Sequence, residues 1–254
     1  MSLKGSPLAL AVIGGTGVYA FPGLDDSTQH EVSTRWGAPS SPIVTGEVNG
    51  RCVAFLARHG EKHTIAPHRI NYRANIAALH EMGVRRVIGV NAVGGIRDDM
   101  APRVVAIPDQ LIDYTSGRAA SFCDTDGESV MHVEFGEPYA ARLRHELLCA
   151  ARDADVAVVD GGCYGVTQGP RLETCAEIAR MRRDGCDLVG MTGMPEAALA
   201  RELEMDYACI AVVANWAAGC GPDPDAPISL GEIHAHLAAA SSRVPLIVRA
   251  LLAN

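Results

Sequence analysis

Arg86-Val87-Ile88-Gly89-Val90-Asn91-Ala92-Val93-Gly94-Gly95 is the stretch that decides the architecture. Arg86–Val90 is apolar after its first residue, as a strand covered on both faces reads. It runs into a polar side chain and then paired glycines. At the carboxyl end of an interior strand such a sequence is either a plain turn or part of a ligand cleft, and the residues alone favour neither. The same signature recurs outward. Before it come Leu8–Ile13, followed by Gly14-Gly15-Thr16-Gly17, and Val53–Leu56, followed by Arg58-His59-Gly60. After it come Val104–Ile107, Val156–Val159, Leu188–Gly190 and Ala208–Ala214.

Helical periodicity fills several of the gaps, over 72–82, 138–153, 174–183 and 195–204. A last helix is expected from Ser229, with Glu232 completing a capping box, towards Leu252, broken or kinked at Pro245. Strands alternating with helices predict an α/β sandwich. Residues 115–137 and 216–227 are the longest irregular stretches, and such stretches in compact proteins are often lids or interfaces. Without repeats, linkers or low-complexity tracts, 1–254 reads as one domain.

The 254 residues are 48% hydrophobic with a net charge of -8. An acidic chain without a Lys/Arg run is a poor nucleic-acid binder. No stretch approaches the roughly 20 uncharged apolar residues of a membrane helix. The eight scattered cysteines, without C-x-x-C, read as mostly buried, reduced thiols of a soluble cytoplasmic protein.

Several segments invite chemistry. Gly14-Gly15-Thr16-Gly17 lets backbone N–H groups approach an anion, with the Thr16 hydroxyl beside them. Its spacing fits neither G-x-G-x-x-G nor the Walker pattern, and a tight turn is an equal reading. Arg58, at a strand end, offers a planar fork to a phosphate. His59, His63 and His68 raise the question of a metal, but the intervening Gly60 and Pro67 break any helical ligand face, so none is expected. Thr167-Gln168-Gly169-Pro170-Arg171-Leu172-Glu173-Thr174, Met191-Thr192-Gly193-Met194-Pro195-Glu196 and Asn215-Trp216 add further polar strand ends. Each has a structural explanation of its own, but six such ends in one chain are harder to dismiss.

Taken together, these segments resemble the methylthioadenosine/purine nucleoside phosphorylase family, in its trimeric branch. The specific match is R-H-G-x-x-H-x-I-x-P-x-x-I-N-Y-x-A-N-I-x-A-L from Arg58 to Leu79, followed by N-A-x-G-G, then G-P-R-x-x-x-x-A-E from Gly169 and M-T-x-x-P-E from Met191. The resemblance implies a single-domain three-layer α/β/α sandwich with a central mixed β-sheet. It implies phosphorolysis of a purine nucleoside, with inorganic phosphate as co-substrate and no cofactor or metal. Thr16, Arg58, His59, Ala92 (through its N–H) and Thr192 match the family's phosphate site. Asn91, Gly94, Met191 and Ala217 fall at nucleoside-contacting positions, with Met191 against the ribose. His132 looks like the residue a neighbouring subunit lends to the pocket of a homotrimer.

Two departures bear on the substrate. Where methylthioadenosine enzymes carry D-x-D, this chain has Asn215-Trp216-Ala217. An asparagine amide can donate to the O6 or N7 of a 6-oxopurine, where a carboxylate would meet lone pairs. Glu173 falls on the glutamate of 6-oxopurine enzymes, and its carboxylate can accept from N1–H, which adenine lacks. Asn215, Glu173 and His59 are therefore the catalytic candidates. At the 5′ end, Leu230 replaces the histidine of ordinary purine nucleoside phosphorylases. Leu230 and Ile233, three apart, suit an apolar 5′-methylthio group, or else simply face the core. Both ends together resemble the S-methyl-5′-thioinosine phosphorylase subgroup. A general inosine/guanosine phosphorylase, a methylthioadenosine phosphorylase and a catalytically silent nucleoside binder are the alternatives.

Overall fold

The strand that begins at Arg86 does not stop at Val90 but runs ten residues to Gly95, so Asn91 and the glycines belong to the strand rather than to a turn. The computed structural model describes residues 8–18, 21–123 and 130–253. In chain order the elements are β1 (Leu10–Gly14), β2 (Asp25–His30), β3 (Ile43–Val48), β4 (Arg51–Ala57), α1 (Tyr72–Glu81), β5 (Arg86–Gly95), β6 (Val105–Ile107), β7 (Gln110–Asp113) and α2 (Ala141–Asp153). They continue with β8 (Val159–Asp160), β9 (Cys163–Val166), α3 (Cys175–Arg183), β10 (Leu188–Gly190), α4 (Glu196–Glu202), β11 (Asp206–Trp216), α5 (Leu230–Ser241) and α6 (Val244–Ala253).

The strands form one mixed sheet in the order β2-β3-β4-β1-β5-β10-β9-β7, with β11 on the other edge of β5, β6 on β11 and β8 on β6. β1, β4, β5 and β11 run parallel, so Gly14, Ala57, Gly95 and Trp216 all end at one side. Beyond β5 the sheet divides. β6 and β7 lie on different branches, yet only Pro108 and Asp109 separate them. β8 and β9 do the same across Gly161-Gly162. The parallel register is identical on both sides of this bend, Ala106↔Val159 before it and Gln110↔Cys163 after it. The bend is fastened where Asp109 Oδ1 accepts from Gly162 N at 2.8 Å.

Period-2 alternation divides the core into layers. Ala11 and Ile13 of β1 share one apolar cluster with Ile76 and Leu79 of α1 and Leu199 of α4. Leu10 and Val12 face the other way, onto Leu143 and Leu147 of α2, Leu237 of α5, and Ile247 and Val248 of α6. The three-layer α/β/α arrangement is thus present. α3 closes a smaller cluster with Ile96, Val189 and Ala217.

The helix expected from 229 to 252 is two helices. The break falls at Ser242-Arg243, and Pro245 is the second residue of α6, where a missing N–H costs little. Residues 230–253 are together as apolar as a membrane span, but each helix is too short for the roughly 20 residues a crossing needs. Ser229 caps α5 by accepting from Glu232 N. The full reciprocal capping box is on α3, between Thr174 and Glu177. All eight cysteines are free, but only Cys186, Cys209 and Cys220 are buried, fewer than the composition suggested.

Candidate active site

The parallel strand ends open onto a cavity of about 460 Å³. Part of its wall is glycine loop and strand backbone. A side chain on Gly15 would collide with Val90 O at 2.5 Å, so only glycine lets this loop lie against β5. Thr16 follows it into the wall, opposite Ala92 and Thr192.

Arg58 is not in the cavity wall. It is fully buried, and its Nε and Nη2 donate to the Glu196 carboxylate at 2.8 and 2.7 Å. Nη1 donates to Val90 O at 2.8 Å, and Nη2 also reaches Ile13 O at 3.4 Å. The fork is thus turned to Glu196 and not to the cavity. A buried cation must first find its counter-charge, and Glu196, itself 0% exposed, takes the fork. Nη1 alone lies beneath the glycine loop, 2.9 Å from where a Gly15 Cβ would stand.

His59 does line the cavity. Burial pushes its pKa down to about 4, so the ring is neutral near pH 7. Its Nδ1 lies 2.8 Å from Ile65 O. A carbonyl only accepts, so Nδ1 carries the proton and Nε2 is left as an acceptor. Asn91 is likewise withdrawn. It is 0% exposed, and its Nδ2 donates to Thr192 Oγ1 at 2.7 Å while Cys209 Sγ donates to its Oδ1 at 3.3 Å. It acts from behind Thr192, whose hydroxyl, already accepting, has its own proton to donate.

The same cavity brings together Glu173, Met191, Asn215, Gly94 and Ala217. Asn215 owes its position to a β-bulge. Val213 pairs with Val93, but Asn215, not Ala214, pairs with Gly94. One extra residue re-aims the side chain, and Gly94 leaves room, since a Cβ there would stand 3.4 Å from Asn215 Nδ2. That amide nitrogen donates to Trp216 O at 2.6 Å, leaving it a second N–H. Glu173 precedes the α3 cap and accepts from Thr167 Oγ1 at 2.5 Å.

From α5, Leu230, Ile233 and Leu237 line one wall, Leu230 at the rim. His63 and His234 line it too. No sequence motif assigns a role to His63 or singles out His234. The signal for it was its place beside Ile233 on a helix whose i, i+4 pair Ile233/Leu237 faces the site. His68 is not in the wall, and His132 is exposed and outside this chain's own cavity. Among the described residues no three His, Cys, Asp or Glu side chains are grouped to hold a metal ion.

Residues 9–253 match the model of the phosphorylase superfamily. A probable S-methyl-5′-thioinosine phosphorylase from Xanthomonas campestris pv. campestris is 58% identical over 97% of this chain and 98% of its own length. A protein of the same description from Xylella fastidiosa is 62% identical over 91% of this chain and 97% of its own. Among solved structures, a methylthioadenosine phosphorylase from an antarctic soil metagenomic library superposes with a TM-score of 0.89 at 34% identity, covering 97% of this chain and 86% of that one.

Proposed function

Since the chain belongs to the phosphorylase superfamily, we propose that it is a pentosyltransferase acting on S-methyl-5′-thioinosine. With inorganic phosphate it yields hypoxanthine and 5-methylthioribose 1-phosphate, a step of purine and methylthionucleoside salvage. The observation that carries this reading is that Glu173 and Asn215 share one cavity with the apolar wall of Leu230, Ile233 and Leu237. The names borne by the relatives point the same way.

In this reading phosphate is held by Thr16, the Ala92 N–H and Thr192. His59, with Nε2 bare, accepts from the hydroxyl of hydrogen phosphate. Arg58 adds its charge from beneath Gly15, largely offset by Glu196. Phosphate oxygen attacks the anomeric carbon of a ribose resting on Met191, the bond to N9 breaks, and its electrons leave with the base, which takes up from solvent the proton that the phosphate gives up. Asn215 donates to O6 or N7 as that charge develops, and Glu173 accepts from N1–H. Catalysis is positioning and electrostatic complementarity, and it calls for no cofactor or metal.

The test is kcat/KM for methylthioinosine, inosine and methylthioadenosine, with and without phosphate. Phosphate-dependent hypoxanthine release, fastest from methylthioinosine, is the expected result. Equal or better use of methylthioadenosine overturns the base assignment, and binding without cleavage identifies a silent binder. One observation favours a broader inosine/guanosine activity. Leu230 is 67% exposed, and His234 on the same wall is suited to bond a 5′-hydroxyl.

The reading extends to the assembly. All of 1–254 acts as one domain, three copies associate, and each lends His132 to a neighbour's cavity. The exposed Val130 and Met131 beside it are suited to burial in such a contact. The free thiols fit a cytoplasmic protein.

A further inference from the structure

Glu173 stands in a wall between two cavities. It lines the one described above and also a second, of about 420 Å³, bounded by Tyr114, Thr167 and Arg171 among others. Thr167 belongs only to the second, so it reaches Glu173 from the side away from the nucleoside. We propose that Thr167 is the positioning residue that sets Glu173 for base recognition, and hence helps determine the preference for 6-oxopurines. The inference rests on Glu173 facing the base.

The bond has one possible sense. A carboxylate only accepts, so the Thr167 hydroxyl donates, at 2.5 Å to Oε1. Its other acceptor, Gly190 O, is farther at 3.3 Å. A charge-assisted bond of this length is among the stronger ones. It occupies Oε1 and leaves Oε2 for a donor on the ligand. N1–H of hypoxanthine supplies that donor, and N1 of adenine, a lone pair, does not.

Thr167 is also a firm post. Its backbone N donates to Gly190 O at 2.8 Å, extending the β9–β10 pairing past its last strand residue. Its carbonyl accepts from Arg118 Nη2 at 3.1 Å, and the same guanidinium holds Gln168 O at 2.9 Å and Met194 O. The side chain is β-branched, with few rotamers, and 9% exposed. Glu173, by contrast, is half-buried on a connection between β9 and α3. Without the hydroxyl its carboxylate is free to swing into the second cavity.

The experiment is a double-mutant cycle of Thr167→Val and Glu173→Gln, with Thr167→Ser as the conservative control. It is read as kcat/KM for methylthioinosine and methylthioadenosine and as hypoxanthine Kd by calorimetry. Thr167→Val is expected to cost about tenfold on methylthioinosine and in hypoxanthine affinity, with little change on methylthioadenosine. Thr167→Ser should keep most of the wild-type preference. In the Glu173→Gln background, Thr167→Val should have almost no further effect. An unchanged base preference in Thr167→Val, or an equal loss with and without Glu173, overturns the inference while leaving Glu173 in its role. If Glu173→Gln itself changes neither hypoxanthine affinity nor preference, the base assignment falls, and this inference with it.

Discussion

At His59 the proton count of the folded chain departs from that of the unfolded one. The unfolded chain takes up a proton near pH 6.5, which the buried ring refuses until about pH 4. Its contribution to stability is therefore whole above about pH 6.5 and lost as pH falls across that window. His59→Asn should flatten this part of the curve, seen as urea midpoints in phosphate-free buffer that change less between neutral pH and pH ~4. Arg58→Ala should destabilise by about 3–5 kcal/mol, because Glu196 is left charged and buried without a partner. Chemical denaturation checks it, and Arg58→Met combined with Glu196→Leu should recover much of the loss. Asn215→Asp should lower kcat/KM on methylthioinosine about ten- to a hundredfold and narrow the gap to methylthioadenosine. Residue types were legible in the sequence, because strand ends announce themselves. What each guanidinium or amide bonds to was not, since Arg58 and Glu196 are joined across 138 positions.

Among the elements, the strands buried on both faces were the readable ones. β5, β10 and β11 show as apolar runs, whereas β2, Asp-Asp-Ser-Thr-Gln-His, is exposed nearly throughout and carries no hydrophobic signal. β3, β7 and β9 were missed for a related reason, being short, broken by glycine or partly solvated. The bulge in β11 had no signature either, since Ala214 looks like any other residue of an apolar run. Yet it decides which side chain stands over Gly94. In plain register Ala214 would stand there, and Asn215 would fall on the opposite face. The α3 capping box is a milder case. Thr174→Ala should cost about 1 kcal/mol in thermal unfolding, and Glu177, which also bonds Arg171, still tethers the strap that carries Glu173.

For the whole molecule, the proposed assembly predicts a sedimentation mass of three 26.8 kDa chains. It also predicts a higher KM for nucleoside in His132→Ala, with an unaltered melting temperature. Fold class was legible because strand and helix alternate along most of the chain, but the division of the sheet into two branches joined at a bend was not, since it depends on pairings between distant segments. Two covalent segments cross together from one branch of the sheet to the other, at Pro108-Asp109 and Gly161-Gly162, and they are bonded to each other where they cross. Neither branch can peel off without dragging the other through the seam. Amide protons of β9 and β10 should therefore exchange with deuterium as slowly as those of β5, in a single cooperative opening.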